Sequence, residues 1–286
     1  MKNIACLMVL LLSYSGISLS AQEVEIKGSV VDQNRQPLAY VNIGVVGTRI
    51  GTVTDVDGTF TLFLDETITP SDTIRFSMVG FGHRDFRYEN LKGYCEGEPL
   101  DVTLKEQPIV LQEAIIKPQF DNLDKIGMTK VDTKRSVNFS ISALPAQNLG
   151  AEIGRHFRVK GRPTFIENVR FFLKYNDFEE TRFRVNVYAI DQGKPGAHLL
   201  NKSVIKEVVD QQTGWIEVNL APYNIISAQD VIVTVEWVYH SDKGRYLSIP
   251  IKFPVLGGNH VYKFGSQNDW KRFRNMSAAM ELTVSY

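Results

Sequence analysis

From residue 24 onward, apolar and polar residues alternate with a period of two. Val24, Ile26 and Val30 take turns with Glu25, Lys27 and Ser29. Phe60, Leu62 and Leu64 repeat the pattern, as do Ile74, Phe76 and Met78, and Leu100, Val102 and Leu104 close the set. A period of two puts alternate side chains on opposite faces of a strand, so each run predicts one face against a core. Turn residues separate the runs: Asp32 through Pro37, Gly47-Thr48, Asp57-Gly58 and Pro70-Ser71-Asp72. Asp57-Gly58 is the strongest hairpin signal among them. Short strands at this spacing predict a β-sandwich over residues 22–116.

The pattern breaks over residues 117–150. Lys117-Pro118 ends a strand, and a stretch rich in Lys, Asp, Asn and Ser follows, with Pro145 and Gly150 at its exit. This reads as a linker, with an irregular strand around Val137–Ile141. A connector of that length is expected between domains, with domain motion the default. Alternation then resumes. Val169, Phe171 and Leu173 share a face. Phe183, Val185, Val187 and Ala189 form another, with Arg182, Arg184, Asn186 and Tyr188 on its reverse. Ile216, Val218 and Leu220 alternate with Trp215, Glu217 and Asn219; Val231, Val233, Val235 and Trp237 fall together, which predicts a core position for Trp237. Met280, Leu282, Val284 and Tyr286 end the chain. With no helical period, residues 151–286 predict a second, jelly-roll-like β-sandwich, so the fold class is all-β throughout.

The N-terminus adds a compartment. Lys2, the apolar run Ile4–Leu12 and the small residues Ser18 to Ala21 have the order of a secretory signal peptide over residues 1–21. The run is too short to span a bilayer comfortably, and no later apolar run is long enough to cross as a helix. About 265 residues remain after cleavage, a length that favours two domains. Basic and acidic residues balance at 32 each, unlike the basic excess of a nucleic-acid binder. Cys6 leaves with the signal, so Cys95 is a lone thiol and the fold rests on hydrophobic cores, not disulfides.

The first sandwich carries a recognisable pattern: G-x-V-x-D, P-L-x-x-V-N-I, G-T-x-x-G-T-x-T-D-x-x-G-x-F-x-L and S-x-x-G-F. Its residues are Gly28, Val30, Asp32, Pro37, Leu38, Val41, Asn42, Ile43, Gly47, Thr48, Gly51, Thr52, Thr54, Asp55, Gly58, Phe60, Leu62, Ser77, Gly80 and Phe81. Over roughly residues 23–105 this resembles the carboxypeptidase-regulatory-like domain, which implies a transthyretin-like Greek-key sandwich. In that family the domain often precedes TonB-dependent outer-membrane receptors, and Leu111–Ile116 resembles the short strand that follows it there. A receptor barrel would need several hundred further residues, so transport is not carried over. The second half, with its R-V-N-V-Y, G-K-P-G, T-G-W-I-E-V-N-L and V-E-W runs, resembles the C-terminal region of uncharacterised envelope proteins that share the first domain. That resemblance implies a recurrent pairing and no activity.

The family name raises zinc peptidase chemistry, but the histidines do not fit it. His83, His156, His198, His240 and His260 are scattered, and none begins an H-x-x-E or H-E-x-x-H motif; a catalytic zinc needs about three organised ligands. Asp55-x-Asp57-Gly58 mimics the start of a calcium loop, yet position six would be Phe60, inside a strand, so a hairpin turn is expected. No G-x-S-x-G, P-loop or G-x-G-x-x-G is present. We therefore expect no metal and no cofactor.

Strand phase yields one candidate binding face. Arg184, Asn186 and Tyr188 lie opposite the core on one strand, and Trp215 and Glu217 do so on another. Aromatic, amide and charged groups on one sheet face have the chemistry of a sugar site. Trp270 is a further aromatic, carried by a loop or plugging the sandwich edge. These residues lead to a non-catalytic exported protein of the periplasm, outer membrane or cell surface that binds an envelope partner protein or a glycan. The competing readings are a carbohydrate hydrolase on the second sandwich, which needs two opposed carboxylates, and an assembly module acting by strand addition.

Overall fold

The structure, a computed structural model, describes residues 24–107, 122–140, 148–159 and 161–286. The expected signal segment, the strand resemblance at Leu111–Ile116 and the side chain of Cys95 lie outside the described residues.

The first sandwich is built from β1 (Val24–Val31), β2 (Asn42–Val45), β3 (Gly51–Val53), β4 (Thr59–Leu64), β5 (Thr73–Ser77), β6 (Arg84–Arg87) and β7 (Leu100–Thr103). One sheet has the order β4-β1-β7 and the other β3-β2-β5-β6. The alternating apolar residues meet between them: Ile26, Val30, Ile43, Phe60, Leu62, Ile74, Phe76 and Val102 are all buried. Phe60 and Phe76 pack edge to face with centroids 5.5 Å apart. The Asp55–Gly58 segment is the expected turn between β3 and β4. The Asp55 carboxylate accepts from the backbone N–H of Asp57 and Thr59 and from the Thr59 hydroxyl, so the turn already uses its oxygens. Gly58 has φ of 76°, and a Cβ there would lie 2.7 Å from the Val30 carbonyl oxygen, so only glycine closes this turn.

The second sandwich comprises β8 (Leu123–Gly127), β9 (Arg135–Asn138), β10 (Glu152–Phe157), β11 (Thr164–Leu173), β12 (Tyr175–Asn176), β13 (Glu180–Asp191), β14 (Lys194–His198), β15 (Val204–Val209), β16 (Gly214–Asn219), β17 (Ile226–Ser227), β18 (Val231–His240), β19 (Leu247–Lys252), β20 (Asn259–Lys263), β21 (Lys271–Arg274), β22 (Ser277–Ala278) and β23 (Met280–Ser285). One layer runs β14-β13-β18-β10-β20-β21, with β15 also on β13. The facing layer runs β16-β11-β23-β8, with β17 on β11, and is continued by β12-β19-β22 with β9 on β19. Val169, Phe171, Leu173, Phe183, Val185, Val187, Val233, Trp237 and Leu282 fill the space between the layers, each fully buried. The Trp237 indole N–H donates to Thr181 Oγ1 at 2.7 Å, so the core tryptophan keeps its polar atom satisfied. Truncating a core phenylalanine such as Phe183 to alanine is worth about 3–5 kcal/mol.

The segment read as a linker differs from that expectation. Its described parts are strands of the second sandwich: β8 pairs antiparallel with β23, and β9 pairs antiparallel with β19. Phe139, just past β9, is fully buried, with its ring 5.3 Å from that of Phe183. β8 sits at a sheet edge and exposes Leu123, so its few apolar residues carried no clear period. No helix among the described residues is long and apolar enough to cross a membrane.

The two sandwiches are packed together. The 265–269 turn of the second enters the first, where Ser266 Oγ donates to the Ile43 carbonyl at 2.5 Å and Gln267 Nε2 donates to Ser77 Oγ at 2.8 Å. The Gly47 N–H donates back to the Gln267 carbonyl. Gly51 makes this approach possible, since a Cβ there would lie 2.5 Å from Ser266 Oγ. Beside it, Tyr40, Val53 and Val238 form a small apolar cluster across the joint. Replacing Gly51 with Val should wedge the joint at a cost of about 1–3 kcal/mol. The far-ultraviolet strand spectrum should stay unchanged while the urea midpoint falls and the radius of gyration from small-angle scattering rises.

Candidate functional site

The alternation of β13 does place Arg184, Asn186 and Tyr188 on the face opposite the core, but that face is not open. The three residues are 1%, 2% and 5% exposed. Arg184 forms a bidentate pair with Glu236, Nε and Nη2 donating at 2.7 and 2.8 Å, and its Nη1 donates to the Tyr40 carbonyl of the first sandwich at 2.8 Å. Tyr40 turns its backbone into the left-handed region, φ 61°, at this contact. Asn186 Nδ2 donates to both Glu236 and Glu152, the Tyr188 and Thr234 hydroxyls donate to Glu152, and Lys263 pairs with Glu152 at 2.7 Å. Trp270 closes the edge of this cluster, with its ring edge to face with Tyr188 at 5.9 Å and the Lys263 ammonium 5.1 Å from its centroid. Every charge in the cluster is answered, as burial demands. Burial alone would raise Glu236, but the Arg184 guanidinium holds it well below the usual carboxylate range. Burial, and then the Glu152 charge, raise the Tyr188 hydroxyl well above its ordinary value. The arrangement is a sealed polar seam that fastens the first sandwich to the second.

Trp215 and Glu217 lie elsewhere. They sit on β16, in the facing layer, so their outer face and that of Arg184 are on opposite sides of the core. Trp215 takes the Arg170 guanidinium over its ring at 4.4 Å and the edge of Phe172 at 5.4 Å. Glu217 is exposed and accepts from Asn168 Nδ2 at 2.6 Å. The expected single face that joins Arg184, Asn186, Tyr188, Trp215 and Glu217 is therefore not formed. Phase fixes which side of a strand a residue occupies, and the layer that strand joins is a matter of topology.

A different group of residues lines an open cleft. It has a volume of about 550 Å³ and lies between β20 and β21 of one layer and β9 and β19 of the other. Its aromatic wall is His260, Tyr262, Phe264 and Phe273, with the Tyr262 and Phe273 rings nearly parallel at 12° and 5.6 Å between centroids. Ser136 and Asn138, two residues apart on β9, supply hydroxyl and amide groups, and among the described residues no carboxylate lines the cleft. Size, apolar wall and a few polar groups are the anatomy of a ligand site. His260 is 1% exposed, and burial pushes its imidazole down to about 4, against a smaller opposing effect from a hydrogen bond to the Gly154 backbone. It is neutral at physiological pH. The run His260-Val261-Tyr262-Lys263-Phe264 shows this wall in the sequence as ring-bearing residues at a period of two, a signal the strand-phase reading passed over.

The chain is thus an all-β protein of two packed sandwiches. Residues 26–116 match the CarboxypepD_reg-like domain family, which bears out the resemblance carried by the first sandwich. Over 112 residues, 38% of the chain, it is 31% identical to the TonB-dependent receptor SusC of Bacteroides thetaiotaomicron. That stretch is 10% of the receptor, so the chain spans about a tenth of this curated relative. Among solved structures, BcpA, the major pilin subunit of Bacillus cereus, aligns with 90% of this chain and 69% of its own at 10% identity, with a TM-score of 0.22, too low to establish a shared fold.

Two outcomes follow from the buried charges. Arg184→Met leaves Glu236 without its bidentate partner and should cost about 3–5 kcal/mol in urea unfolding. His260 has a folded-state value of about 4 against an unfolded value near 6.5, so its contribution is full above about pH 6.5 and is lost as pH falls through 4. The loss is about 3 kcal/mol, and His260→Gln should flatten that limb of the stability profile.

Proposed function

We propose that this chain is a non-catalytic, exported cell-envelope protein that binds a partner protein or a glycan, and that the cleft of the second sandwich is where it binds. The observation that carries the reading is the chemistry of that cleft. Near-parallel Tyr262 and Phe273 rings face hydroxyl and amide groups in an open site of about 550 Å³. Aromatic faces stack on the apolar faces of sugar rings or on apolar side chains, and the polar rim fixes orientation. The likeness of the first sandwich to part of an outer-membrane receptor supports placement in the envelope, at the periplasmic or outer side.

The hydrolase reading is less well supported by the same residues. Two carboxylates do converge, at Glu152 and Glu236, but both are 1% exposed and bound by Arg184, Lys263 and Asn186. Glycoside hydrolysis needs two carboxyl groups flanking the substrate bond, and the cleft offers none.

A glycan array and a pull-down from envelope extract, each run with wild type and with Tyr262→Ala, test the proposal. We expect at least one specific ligand, with binding weakened about tenfold or more by loss of the ring, equivalent to about 1.4 kcal/mol. No glycan and no partner above background would refute it, as would a ligand that Tyr262→Ala and Phe273→Ala bind unchanged.

A further inference from the structure

Two arginines of the second sandwich are treated differently: Arg184 is buried, and Arg155 is half-buried. Arg184 has a carboxylate pair and a backbone carbonyl for its guanidinium. Arg155 has none of these among the described residues. It lies on β10 in register with Val233 and His260, which puts it on the inner face with Ile153 and Phe157. Its Nε and Nη1 are buried without a hydrogen-bond partner. The Phe157 ring face, 4.9 Å from the guanidinium carbon, is the contact it has. A guanidinium out of water with no anion is costly, and buried charges are normally paired. Burial alone lowers it to about 10, so it remains charged at neutral pH.

Its surroundings point to where the missing anion comes from. Arg155 is the direct cross-strand neighbour of His260, which lines the cleft. Arg155 is not fully sealed, although its own strand side is the interior one. On the same face Lys271 lies opposite Tyr262 in register, with its ammonium 6.0 Å from that ring. The cleft is lined by an aromatic wall and by neutral hydroxyl and amide groups on β9, with no acid among the described residues, and two cations, Arg155 and Lys271, neighbour its wall on the adjoining strands.

Resting on the binding function proposed above, we propose that the ligand of this cleft is an acidic sugar, with its ring on the Tyr262–Phe273 wall and its carboxylate paired with Arg155. A ring with hydroxyls meets the aromatic faces together with Ser136 and Asn138. A carboxylate meets the bidentate geometry that guanidinium offers and that Arg155 leaves unused. The cleft has room for a short oligosaccharide.

The test is calorimetric titration of the full chain with trigalacturonate, a hyaluronan tetrasaccharide and sialyllactose, each beside its carboxyl methyl ester. The ester keeps the ring and removes the charge. We expect at least one acid to bind tenfold or more tightly than its ester, and Arg155→Met to abolish that preference while retaining weak binding of the ester. Arg155→Met should also melt at the same temperature as wild type or higher, because it removes an unpaired buried charge. Esters that bind as tightly as acids would overturn the anionic assignment and leave the glycan reading standing. Absence of binding by all acids and esters would overturn this inference, and the pull-down would then decide the broader reading. A marked fall in stability for both Arg155→Met and Arg155→Lys, with no change in the acid preference, would show that the guanidinium serves the fold and would equally overturn it.

Discussion

The bidentate pair between Arg184 and Glu236 is the interaction on which the arrangement of this protein depends. Both groups are out of water, and the guanidinium gives a further N–H, from Nη1, to the carbonyl of Tyr40, in the other sandwich. A buried ion pair gains little over an apolar pair of the same shape, but it is unforgiving once assembled, because removal of either partner strands a charge. The consequence is positional. Hydrophobic contact between Tyr40, Val53 and Val238 would hold the sandwiches together in several neighbouring poses. The Arg184 fork, Lys263 on Glu152 and the Ser266 and Gln267 hydrogen bonds accept one. A polar seam of this kind specifies geometry more than it adds stability. It also opposes the interdomain motion that a long connector leads one to expect.

The same strands that build the seam build the cleft. On β10, Glu152 points outward to the seam, and Arg155 points inward beside the cleft. On β20, Lys263 reaches outward to Glu152, and His260 and Tyr262 line the cleft. Alternation therefore couples the two faces without any contact between them: locking one side of the strands fixes the backbone that positions the other. The wall proposed as the binding surface is carried on strands whose reverse is pinned by charge, which is the condition for a preorganised site.

Much of the fold could be read from period two. Val169, Phe171, Phe183, Val185, Val233 and Trp237 all face the core as their phase requires. The Asp55–Gly58 turn followed from its residue types, because an Asx side chain and a left-handed glycine close a hairpin in one way. What phase could not supply was partnership between strands. Arg184 and Trp215 are both out of phase with a core, but they belong to opposite layers, and no local pattern carries that information. Nor does phase say whether the reverse of a strand is wet. On β13 the residues opposite the core are nearly as buried as the core, because Tyr40 of the first sandwich meets Arg184 and the rings of His198 and Trp270 close over Tyr188. The strands β8 and β9 were obscured for the opposite reason, since short edge strands with one half-exposed face leave too few apolar residues for a period to show.

Arg184 and Arg155 differ sharply in how their guanidinium groups are answered. Buried polar groups in folded proteins are nearly always satisfied, so an exception calls for a specific cause. For the seam, the chain supplies the Glu236 and Glu152 carboxylates, which accept from Arg184, Asn186, Thr234, Tyr188 and Lys263. A few residues away on the same sheet it leaves two guanidinium nitrogens of Arg155 unmatched, next to a strand that lines an open cleft. A neutral residue at 155 would avoid that cost, and an acid at 136 or 138 would place a countercharge on the cleft wall. Neither is present, and a seam whose charges are paired beside a half-buried guanidinium left without an acid among the described residues is the reason to look for the missing anion outside the chain.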